Sequence, residues 1–220
     1  MFSSLLAFLG LLSPWSLLDP QTPLGPSVPY INPALNGGSM LDSSAGLGEP
    51  LNIIVSAFSS PKVLNTGGLE NWARSFDFST ECFGINLGGP QSANLGDGRG
   101  WVNQTAVLRY DYMNVGVGTC LESLSGGNHF RFWQQVNTGA YFLACSVEEW
   151  LGQGHNIVPN GYDLGRDAIV ASAEGQTSYK GVTYLSTVEY VTGLLTPGST
   201  GINHGIAIDG KVAIITVKIK

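Results

Sequence analysis

Positive charge is what this chain has least of. Of its 220 residues only ten are Lys or Arg, none precedes Lys62, and no two are adjacent. Nucleic-acid affinity comes largely from basic side chains neutralising phosphates, so a chain with net charge −6 and no basic run is not expected to bind nucleic acid. Charged residues of either sign make up only 12%, about half the usual share, while glycine is abundant at 30 residues. Such a composition is turn-rich and of extracellular type.

Long apolar runs are also missing. The longest stretch, around Leu5 to Leu12, is interrupted after Leu12 by Ser13 and Pro14 and falls short of the roughly 20 residues a spanning helix needs, so no transmembrane segment is expected. Residues 1–18 read as a signal peptide, although its positive end is only the α-amino group. Residues 19–50 read as a linker or pro-region, because seven of the eleven prolines lie between Pro14 and Pro50. Tyr30, Ile31 and Leu35 are the grips by which that stretch would instead lie across the domain as an ordered arm. Residues 51–220 then form a single domain, large enough to fold without metal or a disulfide set.

Cysteine is scarce. Cys82, Cys120 and Cys145 are an odd number without a Cys-x-x-Cys spacing, which leaves no zinc or thioredoxin motif. One bridge and one buried thiol fit: Cys145 lies in the apolar run Tyr141 to Ala144, whereas Cys82 and Cys120 sit beside polar or turn residues, so these two are expected to pair. Asn103-Gln104-Thr105 is an N-glycosylation acceptor sequence, meaningful if the chain is secreted.

Among what is present, hydrophobic periodicity predicts an α+β fold with a mostly antiparallel sheet and two or three helices on one face. Strands are expected at Leu51–Phe58, Cys82–Leu87, Trp101–Tyr112, His129–Val136, Ala140–Val147 and Val182–Thr192. Leu69, Trp72, Ala73 and Phe76 lie at i, i+3, i+4 and i+7, a helical face, and a second helix is expected over Asp163–Glu174. Asp209-Gly210 between Ile206–Ile208 and Val212–Ile219 predicts a C-terminal β-hairpin, because both turn positions need positive φ. No repeat at a fixed period is visible.

Strand alternation places His129, Arg131, Trp133 and Gln135 on one face and Phe130, Phe132, Gln134 and Val136 on the other. His129, His155 and His204 are the only histidines. If their elements converge with Asp163, Arg166 and Asp167, the cluster could hold a divalent metal, or receive a phosphate or carboxylate on the arginines while a histidine moves protons. No compact His motif supports ligation, so neither metal nor cofactor is expected. The competing reading of Asp163, Arg166 and Asp167 is local pairing near a helix start, and of His129 a hydrogen-bonded sheet histidine. Nucleophile elbows and phosphate-binding glycine loops are missing.

The runs Asn128-His129-Phe130-Arg131-Phe132-Trp133, Gly139 to Ser146, His155-Asn156-Ile157-Val158-Pro159 and Asp163-Leu164-Gly165-Arg166-Asp167 carry a resemblance. They are similar to the His-x-Arg-x-Trp strand, small-residue strand ending in Ser, His-x-Ile-x-Pro segment and Asp-x-x-Arg-Asp helix start of the LssY C-terminal domain family, and of uncharacterised secreted fungal proteins. Leu51-Asn52-Ile53-Ile54 resembles the opening strand. By this resemblance His129, Arg131, Trp133, Ser146, His155, Asp163, Arg166 and Asp167 fall on recurrent polar positions. Asn128 stands where the family often has an acid, and Gly165 where it often has Glu. The resemblance implies lipid or phosphate-containing ligands at a cell envelope.

The expected function is a non-catalytic, secreted or extracellular binding domain for an unknown small ligand or cell-surface component. The alternative is a hydrolase-like or metal-assisted enzyme on a small phosphate-containing or glycosidic substrate, using His129, Arg131, His155, Asp163, Arg166 and Asp167. Trp133 and Ser146 would then contact the ligand.

Overall fold

Asn65 opens the first helix: its side-chain oxygen accepts the Gly68 N–H at 2.9 Å and satisfies one of the orphan donors of the first turn. In this computed structural model, which describes residues 26–44, 46–84, 89–154 and 156–220, α1 runs over Thr66–Arg74. Leu69, Trp72 and Ala73 are buried on its inner face, and the Trp72 indole donates to Ser186 Oγ at 3.1 Å.

The described residues form an α+β fold, with three helices, a large mostly antiparallel sheet and a two-stranded ribbon. The strands are β1 (Ile53–Val55), β2 (Phe78–Thr80), β3 (Ser92–Asn94), β4 (Trp101–Asn103), β5 (Ala106–Tyr110), β6 (Gly127–Gln134), β7 (Tyr141–Glu148), β8 (Gly175–Tyr179), β9 (Val182–Val191) and β10 (Val212–Ile219). The other helices are α2 (Gly118–Ser125) and α3 (Gly161–Ala173). Eight strands form one sheet in the order β2-β5-β6-β7-β1-β10-β9-β8, while β3 and β4 pair apart. Every neighbour in the large sheet is antiparallel except β1 and β10, which run parallel with Ile54 opposite Ile214.

Alternation sorts the strand side chains into two cores. Ile53, Phe130, Phe132, Leu143 and Cys145 share one with Leu69 and Trp72 of α1 and Ile169 and Ala173 of α3. Ile54, Trp133, Phe142 and Ala144 share the other with Met40, Leu51, Tyr162 and Ile202, which come mostly from the N-terminal arm and loops. Each large apolar side chain so buried contributes about 1.5–3 kcal/mol. Among the described residues, no helix is long and apolar enough to cross a membrane.

Several elements differ from expectation. Phe78–Thr80 is the strand after α1, whereas Cys82–Gly84 is a 3-10 turn; residues 85–88 lie outside the described residues. The C-terminal hairpin around Asp209-Gly210 is replaced by another pairing. Val212–Ile219 pairs with Val182–Val191, and Ile208 makes only a bridge to Gly198, because Asp209 is drawn away to Arg166. Residues 26–44 and 46–50, in the stretch whose composition suggested a linker, lie against the domain: Tyr30 meets Phe142 edge-on at 6.4 Å, and the Ile31 backbone both donates to and accepts from Gln135. Leu35 remains exposed. Cys82 and Cys120 form a disulfide, and Cys145 is a buried thiol whose ionisation burial pushes far upward.

Candidate functional site

Arg109, His129 and Ser146 are direct cross-strand neighbours on β5, β6 and β7. Because Leu108, Phe130 and Cys145 point into the first core, these three polar side chains emerge together on the opposite face. α2 lies over them. Gly118 permits its close approach, since a β-carbon there would sit 1.5 Å from the Asp111 carbonyl oxygen. The inner face of α2 delivers Glu122, fully buried, whose Oε2 accepts from Arg109 Nη1 at 2.8 Å. Glu148 accepts from the same nitrogen at 3.1 Å, and Glu81 lies 3.6 Å from Arg109 Nε.

His129 is wedged between opposite signs. Its Nε2 lies 2.9 Å from Arg131 Nη1 and 3.5 Å from Ser146 Oγ, while Nδ1 lies 3.6 Å from Glu148 and 4.0 Å from Glu122. A guanidinium can only donate, so Nε2 must offer its lone pair and Nδ1 must carry the proton, facing the carboxylates. Glu122, His129 and Glu148 stand close enough to hold a metal, with ligand atoms within 4.8 Å of one another. A metal on Nδ1 would have to displace that proton while Nε2 still accepts from Arg131, and Arg109 already supplies positive charge to both carboxylates. The arrangement therefore favours an ion cluster over a metal centre.

The arm completes the site. Asp42 and Glu49 face each other across a tight turn in which Glu49 N donates to Asp42 Oδ1 at 2.7 Å and Asp42 N to the Glu49 carbonyl at 3.0 Å. Ser44 Oγ also donates to Asp42 Oδ1, and Asn203 ties Ser44 and the Gly48 carbonyl to the loop before β10. Glu49 Oε2 reaches Arg131 Nη1 at 3.5 Å. Burial, and then the neighbouring Glu49, push the Asp42 carboxyl up to about 7; burial also raises Glu49 despite Arg131.

Glu49, Gln91, Arg131, Glu148, Asn203 and His204 line a cavity of about 420 Å³. A shallower depression of about 660 Å³, lined by Asn156, Pro159 and Ile206, adjoins it at Ile157 and His204. Among the described residues, Glu49 Oε2, Gln91 Oε1 and Arg131 Nε are buried without a hydrogen-bond partner, as is Asp42 Oδ2 behind them. Buried polar atoms are nearly always satisfied, so two acceptors and one donor in a cavity wall mark a place where a ligand would be held.

Asp163, Arg166 and Asp167 belong to a different network. Arg166, nearly fully buried, donates to Asp167 at 2.7 Å, to both oxygens of Asp209 at 2.7 and 3.1 Å and to the Lys211 carbonyl, while Asp163 stands 3.4 Å away. Burial acts to raise Asp209, but Arg166 and the Lys211 N–H hold it down to about 2. Arg166 also stacks on Tyr190. This network clamps α3 to the approach to β10, and neither Asp163 nor Arg166 lines the cavity. Replacing Arg166 by Met should cost about 2–3 kcal/mol in urea unfolding, less than a fully buried pair because Asp167 and Asp209 regain water. Asp209→Asn should cost less than half of that.

Thus β6 brings His129 and Arg131 together with Ser146, whereas Asp163, Arg166 and Asp167 gather elsewhere; His155 lies outside the described residues. Trp133, expected at a ligand rim, is in the second core and donates to the Val102 carbonyl. Asn103 is exposed on β4. Sequence reasoning missed Asp42, Glu49, Arg109, Glu122 and Glu148. Two signals pointed to them: Asp42 and Glu49 are the only charges between Asp19 and Lys62, and Ser146 and Glu148 continue a single strand face. Compared with protein-family models, curated proteins and solved structures, the chain matches none.

Proposed function

We propose that this chain is a secreted, non-catalytic binding domain that holds a small polar ligand between Glu49, Gln91 and Arg131. The observation that carries this reading is Glu49: it is 5% exposed, lines the cavity and keeps one carboxylate oxygen without a hydrogen-bond partner among the described residues. Two acceptors and one guanidinium donor suit a ligand with hydroxyl or ammonium donors beside an anionic or carbonyl acceptor, such as a sugar, a sugar phosphate or a zwitterion. Taking α1 and α3 as a helical layer on one face leaves the other for α2, the arm and the cleft, which supports the same reading. Residues 1–18 as leader, a glycan on Asn103 and kinship with LssY C-terminal domains belong to this proposal. The kinship rests on the residues between Asn128 and Asp167 and on the opening strand.

Thermal-shift screening of sugars, sugar phosphates and amino acids, followed by calorimetry of the best binder, tests it. Glu49→Gln should weaken that binder at least tenfold, about 1.4 kcal/mol, because the amide presents a donor where the ligand needs an acceptor. Binding unaffected by both Glu49→Gln and Arg131→Ala would place the ligand elsewhere. A second reading draws on Asp42, which keeps its proton near neutrality beside Glu49, the pairing that general acid-base hydrolysis uses. Turnover of nitrophenyl glycosides or phosphates, lost in Asp42→Asn, would favour the enzyme.

A further inference from the structure

Helix α2 is inside out. Its buried positions are Gly118, Thr119, Glu122 and Ser123, while Val117, Leu121 and Leu124, at i, i+4 and i+7, stand in solvent. The inner face is polar because it must meet Arg109. That requirement does not explain an apolar outer face, which a solvated helix would fill with charge. The 3-10 turns Cys82–Gly84 and Leu151–Gln153 both pack against α2, and the disulfide Cys82–Cys120 ties the first of them to it. From these turns and the one before α2 project Phe83, 79% exposed, Trp150 and Met113, 80% exposed. Phe83 and Met113 sit at φ 49° and 59°, left-handed conformations that bulky residues seldom adopt and that persist where function requires them.

We infer that this apolar knob is an insertion surface for a neutral lipid layer. With Phe83 79% and Met113 80% exposed, its side chains project into solvent, so a rigid protein partner would need matching hollows, whereas a fluid layer conforms to them. Charge decides the type of lipid. Residues 112–121 carry no charged side chain, no Lys or Arg lies between Arg109 and Arg131, and the chain as a whole is at −6. Anionic headgroups would be repelled, whereas a zwitterionic surface carries no net charge to oppose the acidic chain, with Trp150 suited to the headgroup level. This inference is independent of the cleft.

The test is flotation of the full chain with phosphatidylcholine vesicles, with and without phosphatidylserine, alongside tryptophan emission. The wild type should float with phosphatidylcholine, less with the anionic mixture, and its emission should shift to the blue; Trp150→Phe should remove most of that shift. Leu121→Ser with Leu124→Ser should lower partitioning at least tenfold while the unfolding midpoint stays unchanged, since both side chains are exposed. If that pair fails to fold, Phe83→Ser with Met113→Ser asks the same question outside the helix. Wild type left in the lipid-free fraction overturns the inference. So does vesicle binding that survives these substitutions, which would come from apolar residues 1–18, or a concentration-dependent dimer that they abolish.

Discussion

Arg109→Met should destabilise the protein by about 3–5 kcal/mol at pH 7, the largest effect expected of a single substitution here. Arg109 is 2% exposed and stands among Glu81, Glu122 and Glu148. Methionine fills nearly the same volume, so little is lost in packing; what is lost is a guanidinium that pairs with three carboxylates held away from water. Arg109→Lys should recover only part, because an ammonium on a single stem does not span Glu122 and Glu148 with the geometry of a planar fork. The deficit should shrink in the Arg109→Met, Glu122→Gln double variant, which removes one of the carboxylates. Urea unfolding at pH 7 measures all of these. A loss below about 1 kcal/mol would mean that the cluster is solvated and that α2 is not held by it.

Stability should also fall as pH rises from about 4 to 8, by as much as about 4 kcal/mol if Asp42 acts alone. Its folded pKa, pushed to about 7 by burial and then by Glu49, exceeds the ordinary aspartate value of 3.8. Between those values the folded chain binds more protons than the unfolded one. The contribution is therefore whole below the unfolded pKa and is lost as pH climbs through the folded one. Glu49 and Asp163, both raised chiefly by burial, act in the same direction. Asp209, held at about 2, acts in the opposite direction only at lower pH, where its stabilisation disappears with acid. Asp42→Asn imitates the protonated side chain and keeps an oxygen for Glu49 N–H and Ser44, so it should flatten the profile and stabilise the protein at pH 8. Unfolding curves of wild type and variant from pH 4.5 to 8 settle the point: parallel profiles would clear Asp42 of the effect.

The two effects bear on the binding proposal in different ways. Arg109 sits beneath the cleft and sets the position of Glu148, whereas Asp42 sits behind Glu49, whose charge helps to raise the Asp42 pKa. A ligand that presents a cation to Glu49 should bind more tightly as Asp42 ionises, in the same pH range where the empty protein loses stability.

The local pattern determined the elements. Period-2 alternation from His129 to Gln134 placed His129 beside Arg131, as the 2.9 Å contact has it, and the spacing of Leu69, Trp72, Ala73 and Phe76 marked α1. The pairing of Cys82 with Cys120 was legible from the apolar setting of Cys145. α2 was not legible, because an inside-out helix inverts the signal that periodicity reads, and β8, five residues rich in polar side chains, has no strand pattern of its own. Asp209-Gly210 has a hairpin sequence, but an ion clamp from Arg166 outweighs a two-residue turn preference.

The site itself was decided in three dimensions. Asp42 and Glu49 lie about eighty residues before His129 and Arg131 in the chain, within proline- and glycine-rich sequence that by composition reads as linker. What holds them in place is Asn203, the backbone of their own turn and Arg131. Sequence alone determined most strands and two of the helices among the described residues, since these depend on neighbours three or four residues away. Which charges share a low-dielectric space depends on contacts between segments a hundred residues apart, and only the folded chain brings those together.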